Sequence, residues 1–219
     1  MTVRLHDSSQ VILQPGASLT YPARFAPDRR EVVIQGEGLF DVTKNKACPF
    51  FVFSQRLVTR VVGTSFIVKA NDHAEQSEVT VLTGKVMVTH HEDPGNLYEQ
   101  LLSPKKEVEL TPNYKAVYRQ ETNSLMVTIA DNPVPLFLDG TRAAADFVFN
   151  GEPLRGVLAA IETTYGIHIK AGKDIDKCTF TGDLSGQNLY ARLDFICQAI
   201  GATYAVDGAE INVKGGNCR

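Results

Sequence analysis

The sequence contains no tryptophan, and only 8% of its 219 residues are aromatic. A protein that grips sugars on exposed ring platforms normally spends tryptophan on them, and the aromatic residues Phe40, Phe50 and Phe66 here stand in alternating strand patterns that fit core positions. Excess positive charge is missing too. The formal net charge is -3 and no run of Lys or Arg compensates locally, so no field attracts a phosphate backbone and nucleic acid is not an expected partner. Long apolar runs are absent: stretches such as Val58 to Val62, broken by Thr59 and Arg60, fall far short of the ~20 residues that cross a bilayer. Arg4, His6 and Asp7 interrupt the start where a signal peptide needs a continuous apolar core.

Cysteine is scarce, and none of Cys48, Cys178, Cys197 and Cys218 stands in the C-x-x-C spacing of a zinc knuckle or redox pair. Cys197 lies inside an apolar helical pattern and reads as a buried free thiol. Cys178 and Cys218 flank the last structural unit. Two readings stay open: a Cys178–Cys218 bridge made in an oxidising compartment, or four reduced thiols.

What is present is mostly β pattern. From Gln10 to about Val127 short runs rich in Val, Ile, Phe and Thr alternate with Gly, Pro, Asn and Asp. Strands are expected over 11–13, 18–21, 31–35, 39–42, 50–53, 57–62, 66–70, 78–83, 85–89, 107–110 and 116–119. In 78–82 and 85–88 the valines fall on one face, as in half-buried strands. An all-β domain follows, of stacked short antiparallel strands in a jelly-roll or solenoid-like arrangement. Its expected extent is 1–122.

The pattern breaks over 123–145, where Asn132, Pro133, Pro135, Asp139 and Gly140 interrupt apolar residues. This is a connector, and Leu136, Phe137 and Leu138 imply that it packs against something. The last part, 146–219, alternates helix-period stripes with strands. Leu154, Val157, Leu158, Ile161 and Tyr165 recur at helical spacing after Pro153, and Gly166 supplies a left-handed stop. Leu189, Leu193, Ile196 and Ile200 repeat the stripe, ended by Gly201. A shift of 35 residues superposes the two, which predicts a small α/β domain built as a doubled βαβ unit against one small sheet. Asp207-Gly208 is the expected tight turn of its last hairpin.

Chemistry is thin. Ser65 in Gly63-Thr64-Ser65-Phe66 fails the nucleophile-elbow pattern, because Ile67 occupies the place of the second Gly. Gly36-Glu37-Gly38 lacks the third glycine of a dinucleotide fingerprint and reads as a β-turn. His90 and His91, beside Glu92 and Asp93, would point to opposite faces of a strand, so they read as a loop tip and not as a metal site. No catalytic residue, metal ligand or cofactor is expected. The chain is not expected to be an enzyme.

The motifs Gly36-Glu37-Gly38-Leu39-Phe40-Asp41-Val42, Pro49-Phe50-Phe51-Val52, Val62-Gly63-Thr64-Ser65-Phe66-Ile67-Val68-Lys69-Ala70 and Val79 to Val88 follow one another in an order and spacing that resemble the FecR-type anti-sigma regulators. Phe149, Pro153-Leu154, Val157-Leu158, Tyr165-Gly166, Phe180-Thr181-Gly182 and Gly201 to Tyr204 resemble the C-terminal domain of Bacteroidetes members, itself similar to the short N-terminal domain of secretins and TonB-dependent transducers.

The resemblance implies a periplasmic relay anchored in the inner membrane. A TonB-dependent outer-membrane transporter contacts it through its periplasmic signalling domain, and a cytoplasmic segment beyond a transmembrane helix, neither present here, holds an extracytoplasmic-function sigma factor. The other reading is a periplasmic carbohydrate-binding or sensory β module. For partner contact, the last strand Glu210-Ile211-Asn212-Val213-Lys214 is expected to lie at a sheet edge and to accept an incoming strand.

Overall fold

The computed structural model describes residues 1–54, 56–70, 75–90, 107–136, 147–216 and 218. The chain divides into two compact units, Met1–Val127 and Thr128–Arg219.

The first unit is mostly β. Its strands are β1 (Thr2–Arg4), β2 (Gln10–Leu13), β3 (Ser18–Thr20), β4 (Arg30–Asp41), β5 (Phe50–Ser54), β6 (Leu57–Val61), β7 (Ser65–Ala70), β8 (Gln76–Thr83), β9 (Val86–His90), β10 (Val108–Leu110), β11 (Tyr114–Arg119) and β12 (Ser124–Ile129). They form one twelve-stranded sheet along the path β10-β9-β6-β5-β4-β7-β8-β11-β12, with β1, β2 and β3 added around β4. The core is the inward parity of these strands. Phe40, Phe50, Phe66, Val52, Val68, Val79, Val86 and Val88 are all fully buried, each large side chain contributing roughly 1.5–3 kcal/mol of apolar burial. The Phe40 and Phe66 rings stack with centroids 5.1 Å apart.

Strand β4 organises this unit. Its first third pairs in parallel with β5, and Gly36 to Asp41 pairs antiparallel with β7. Gly36-Glu37-Gly38 is therefore not a β-turn but the interior of one twelve-residue strand that passes from one set of partners to another. Two expected strands, 31–35 and 39–42, are merged in it. Gly36 sits at φ +94°, and a Cβ there would lie 2.8 Å from the Ala17 Cα. The glycines that suggested a turn are needed for close backbone approach within a strand. Strands β1 and β12 were not expected, because Thr2–Arg4 and Ser124–Ile129 bury little and lack clear alternation.

The second unit runs β13 (Val148–Pro153), α1 (Leu154–Tyr165), β14 (His168–Ala171), a short 3-10 helix (Lys173–Ile175), β15 (Thr179–Asp183), α2 (Leu189–Ile200), β16 (Ala202–Asp207) and β17 (Glu210–Gly215). The buried face of α1 is Leu154, Val157, Leu158, Ile161 and Tyr165, the stripe read from the sequence. Gly166 and Gly201 cap the helices at φ +63° and +68°, a conformation that costs glycine nothing. The Asn188 side chain accepts a hydrogen bond from the Ala191 N–H at the start of α2.

The strands do not share one small sheet. β13 and β15 pair antiparallel as a two-stranded sheet, while β14, β17 and β16 form a second sheet in that order. Helix α1 packs on β13, β14 and β15, and α2 on β16. Each repeat thus splits its strands between two sheets, an arrangement that helix periodicity cannot reveal. Leu136 of the connector donates its N–H to the Thr164 carbonyl at 2.7 Å and lies over Gly166, where its Cδ1 would be 2.5 Å from an added Cβ. Phe137 and Leu138 lie outside the described residues.

Candidate partner-binding surface

In the second unit the sheet β14-β17-β16 presents one face to the helices and the other outward. Ile211 and Val213 are buried, at 0% and 2% exposure. By strand alternation Glu210, Asn212 and Lys214 point to the opposite face, beside His168 and Lys170 of β14 and Thr203, Ala205 and Asp207 of β16.

Glu210–Lys214 does not lie at an edge. Strand β17 is central: His168–Ala171 pairs with it in parallel on one side, and all six residues of β16 pair antiparallel on the other. Its backbone groups are consumed by two neighbours, so strand addition onto Glu210, Ile211, Asn212, Val213 and Lys214 is ruled out by the pairing. The expectation failed because a strand that comes last in a hairpin is an edge only if no earlier strand pairs with it, and β14 does so across 42 residues of sequence. The free edges of this sheet, among the described residues, are β14 and β16. The hairpin turn falls on Gly208 and Ala209, one residue later than expected.

A groove of about 470 Å³ opens at the far end of the outer face, lined by Lys170, Gly172, Asp174, Asn212 and Lys214. Lys170 is ion-paired to Glu210 on the neighbouring strand. Asp176, half exposed, forms an ion pair with Arg155, whose Nη2 also donates to the Gly172 carbonyl at 3.2 Å. Tyr204 of β16 is pushed up to about 12 by burial and by its hydrogen bond to Asp194, so it is a neutral donor at every physiological pH.

Cys178 and Cys218 are joined by a disulfide with Cα atoms 5.1 Å apart. It ties the chain beyond β17 to the start of β15. Cys48 and Cys197 are free, and burial pushes the Cys197 thiol up to about 11, which keeps it protonated and unreactive.

The residues singled out for chemistry are not brought together. Ser65 opens β7 and its hydroxyl donates to Asp41 at 2.8 Å; among the described residues no imidazole hydrogen-bonds to either. His90 closes β9 and stacks on Tyr118, while His91, Glu92 and Asp93 lie outside the described residues. Among the described residues no three His, Cys, Asp or Glu side chains cluster as a metal site would require.

Sequence reasoning missed two buried arginines. Arg30, 3% exposed, bonds Asp7 and the carbonyls of Cys48 and Thr43. Arg192, 5% exposed, lies with its Cζ 3.6 Å from the Phe147 ring centroid and 5.5 Å from that of Tyr165. The signal for Arg192 was available: it falls on the apolar stripe of α2, between Leu189 and Ile196.

Two family models match the chain in order. The model described as FecR protein covers residues 1–87, and the model described as FecR, C-terminal covers residues 146–213. The chain belongs to the FecR family. Two crystal structures of a protein from Parabacteroides distasonis ATCC 8503 assigned as an anti-sigma factor, at 1.65 and 2.50 Å resolution, are similar over nearly the whole length. Each is 25% identical, with a TM-score of 0.52, over 99% of this chain and 95% or 94% of that one. Among proteins of curated function, none matches in sequence. The anti-sigma regulator role is the one that family and structural neighbour share.

Proposed function

We propose that this FecR-family chain is the periplasmic portion of an anti-sigma regulator, relaying a signal from a TonB-dependent outer-membrane transporter to an extracytoplasmic-function sigma factor. The observation that carries the reading is the ordered match of both family models, one in each unit, together with near-complete coverage of an anti-sigma structure. The Cys178–Cys218 disulfide supports an oxidising compartment. No helix among the described residues is long and apolar enough to cross a membrane, so in this reading anchoring and sigma-factor contact are made outside these 219 residues.

The second unit is the docking part in this reading. Its order of strand, helix, strand, twice over, with helix stops at Gly166 and Gly201, supports a doubled βαβ unit like the short N-terminal domain of secretins and TonB-dependent transducers. A relay of this kind needs surfaces and not an active site. The carbohydrate-binding alternative draws no support from Phe40, Phe50 and Phe66, which are fully buried.

The test is calorimetric titration of the whole chain with the periplasmic signalling domain of a transporter encoded beside it. Saturable binding at micromolar strength or tighter is expected. Absence of binding, with a heat signal from a glycan library instead, would replace the relay by the carbohydrate-binding reading.

A further inference from the structure

The outer strand β16 is an unguarded edge. All six of its residues pair with β17 without a register shift, and no second neighbour flanks it among the described residues. Natural edge strands are blunted by charged side chains, lysine above all, by proline, by a bulge or by short length. Ala202-Thr203-Tyr204-Ala205-Val206-Asp207 has no lysine, proline or bulge, and its one charge, Asp207, stands at its very end. The opposite edge, β14, is four residues long and carries His168 and Lys170.

The two-residue turn makes Asp207 and Glu210 a hydrogen-bonded pair, and pairs alternate along an antiparallel ladder. The N–H and C=O groups of Tyr204 and Val206 therefore point away from β17, toward the free side. Val206 is 40% exposed on the face it shares with Ile211. Charge is graded along the outer face: Asp207 and Glu210 stand at one end, Lys170 and Lys214 toward the other. Neither Asp207 nor Lys214 forms an ion pair among the described residues.

We infer that β16 is a self-complementary edge and that its occupant is β16 of a second copy of this chain. Rotation about a two-fold axis through Ala205 places Tyr204 opposite Val206 of the second copy in a hydrogen-bonded pair, twice. The same rotation sets Asp207 opposite Thr203 of the second copy, whose neighbour on β17 is Lys214. Each acidic end meets a basic end, Val206 is covered, and the two three-stranded sheets become one of six strands. The interface is isologous and closes at a dimer, without a further edge of the same kind to continue it. The area is small, so the dimer is reversible, assembling in the range of tens to hundreds of micromolar.

Sedimentation velocity of the full chain across that range tests this. Mass should rise with concentration from 24.0 kDa to twice that value and no further. Val206→Pro removes one outward N–H at an edge position that tolerates proline, and should give a monomer with an unchanged circular dichroism spectrum. Asp207→Lys and Lys214→Asp should each weaken the dimer about tenfold, because two surface ion pairs become like-charge pairs. The double reversal should restore it. A chain that stays monomeric to millimolar concentration, or a dimer indifferent to the charge reversals, overturns the inference, as does occupation of the edge by a transporter signalling domain with no self-association.

Discussion

Arg30 Nη1 lies 2.7 Å from Asp7 Oδ2, in a setting where Arg30 is only 3% exposed and the Asp7 side chain 16%. The pair fastens the turn between β1 and β2 to the first residue of β4. Burial pushes the Asp7 carboxyl up, but the hydrogen bonds from Arg30 and Ser9 outweigh it and hold the carboxyl below its ordinary value of 3.8. A lowered carboxyl favours the fold above its unfolded pKa, and that contribution is lost as pH falls through the folded value.

Acid unfolding should therefore contain a component below pH about 4 that depends on Asp7. Asp7→Asn should cost about 3 kcal/mol at neutral pH, because the Arg30 cation is left buried and uncompensated. Urea unfolding at pH 7 and pH 3 checks both: the gap between wild type and variant should narrow at the lower pH. An equal gap at both would show that the charge is not what matters.

Ser8, between Asp7 and Ser9, sits at φ +71°, a left-handed conformation that costs a residue with a Cβ about 1 kcal/mol. Ser8→Gly should then raise stability by about 0.5–1 kcal/mol, less whatever the freer unfolded chain takes back. Thermal melts of the two proteins decide it, and a lower melting temperature for the glycine variant would count against the strain.

The Cys178–Cys218 bridge spans a sequence separation of 40, which by loop-closure entropy corresponds to about 3–4 kcal/mol. Reduction, or Cys178→Ser with Cys218→Ser, should lower the melting temperature of the second unit and leave the first unit's transition in place. In the unreduced native protein a thiol reagent at pH 8 should modify Cys48 and spare Cys197, whose thiol is pushed up to about 11 and buried. Rapid modification of both would contradict the packing of α2.

Arg192 donates through Nε to the Leu184 carbonyl at 3.0 Å, while its Nη1 has no hydrogen-bond partner among the described residues. Its stabilising role rests on the Phe147 ring and on that one bond, and burial lowers its pKa. Arg192→Ala should cost about 2–3 kcal/mol through lost packing and an orphaned carbonyl. Arg192→Met, which keeps volume and discards an expensive buried charge, should cost about 1 kcal/mol or less. Chemical denaturation of both variants separates packing from charge, and equal losses would assign the effect to charge.

Much of the second unit was legible because its signals are local. Leu154, Val157, Leu158, Ile161 and Tyr165 mark one face of α1 by spacing alone, and Gly166 marks its end because few other residues adopt φ +63°. Valine alternation in β8 and β9 marked the inward face in the same way, with Val79, Val81, Val86 and Val88 all buried. The family resemblance was likewise carried by short contiguous motifs. What misled was also local: Gly36 and Gly38 look like a turn in a window of seven residues, and only their partners Ala17 and Ile34 show why a strand needs them.

The β-rich and α/β regions, the helix faces and stops, and membership of the FecR family were legible without the fold, since periodicity, capping and motif order are properties of neighbouring residues. That β17 is central, that β14 and β16 are the free edges of its sheet among the described residues, and that Arg30 and Arg192 are buried emerged only from the folded chain, because strand order and the company a charge keeps are set by pairings between residues distant in sequence. Among the described residues, the backbone open to an incoming strand therefore lies on β14 and β16 and not on Glu210–Lys214.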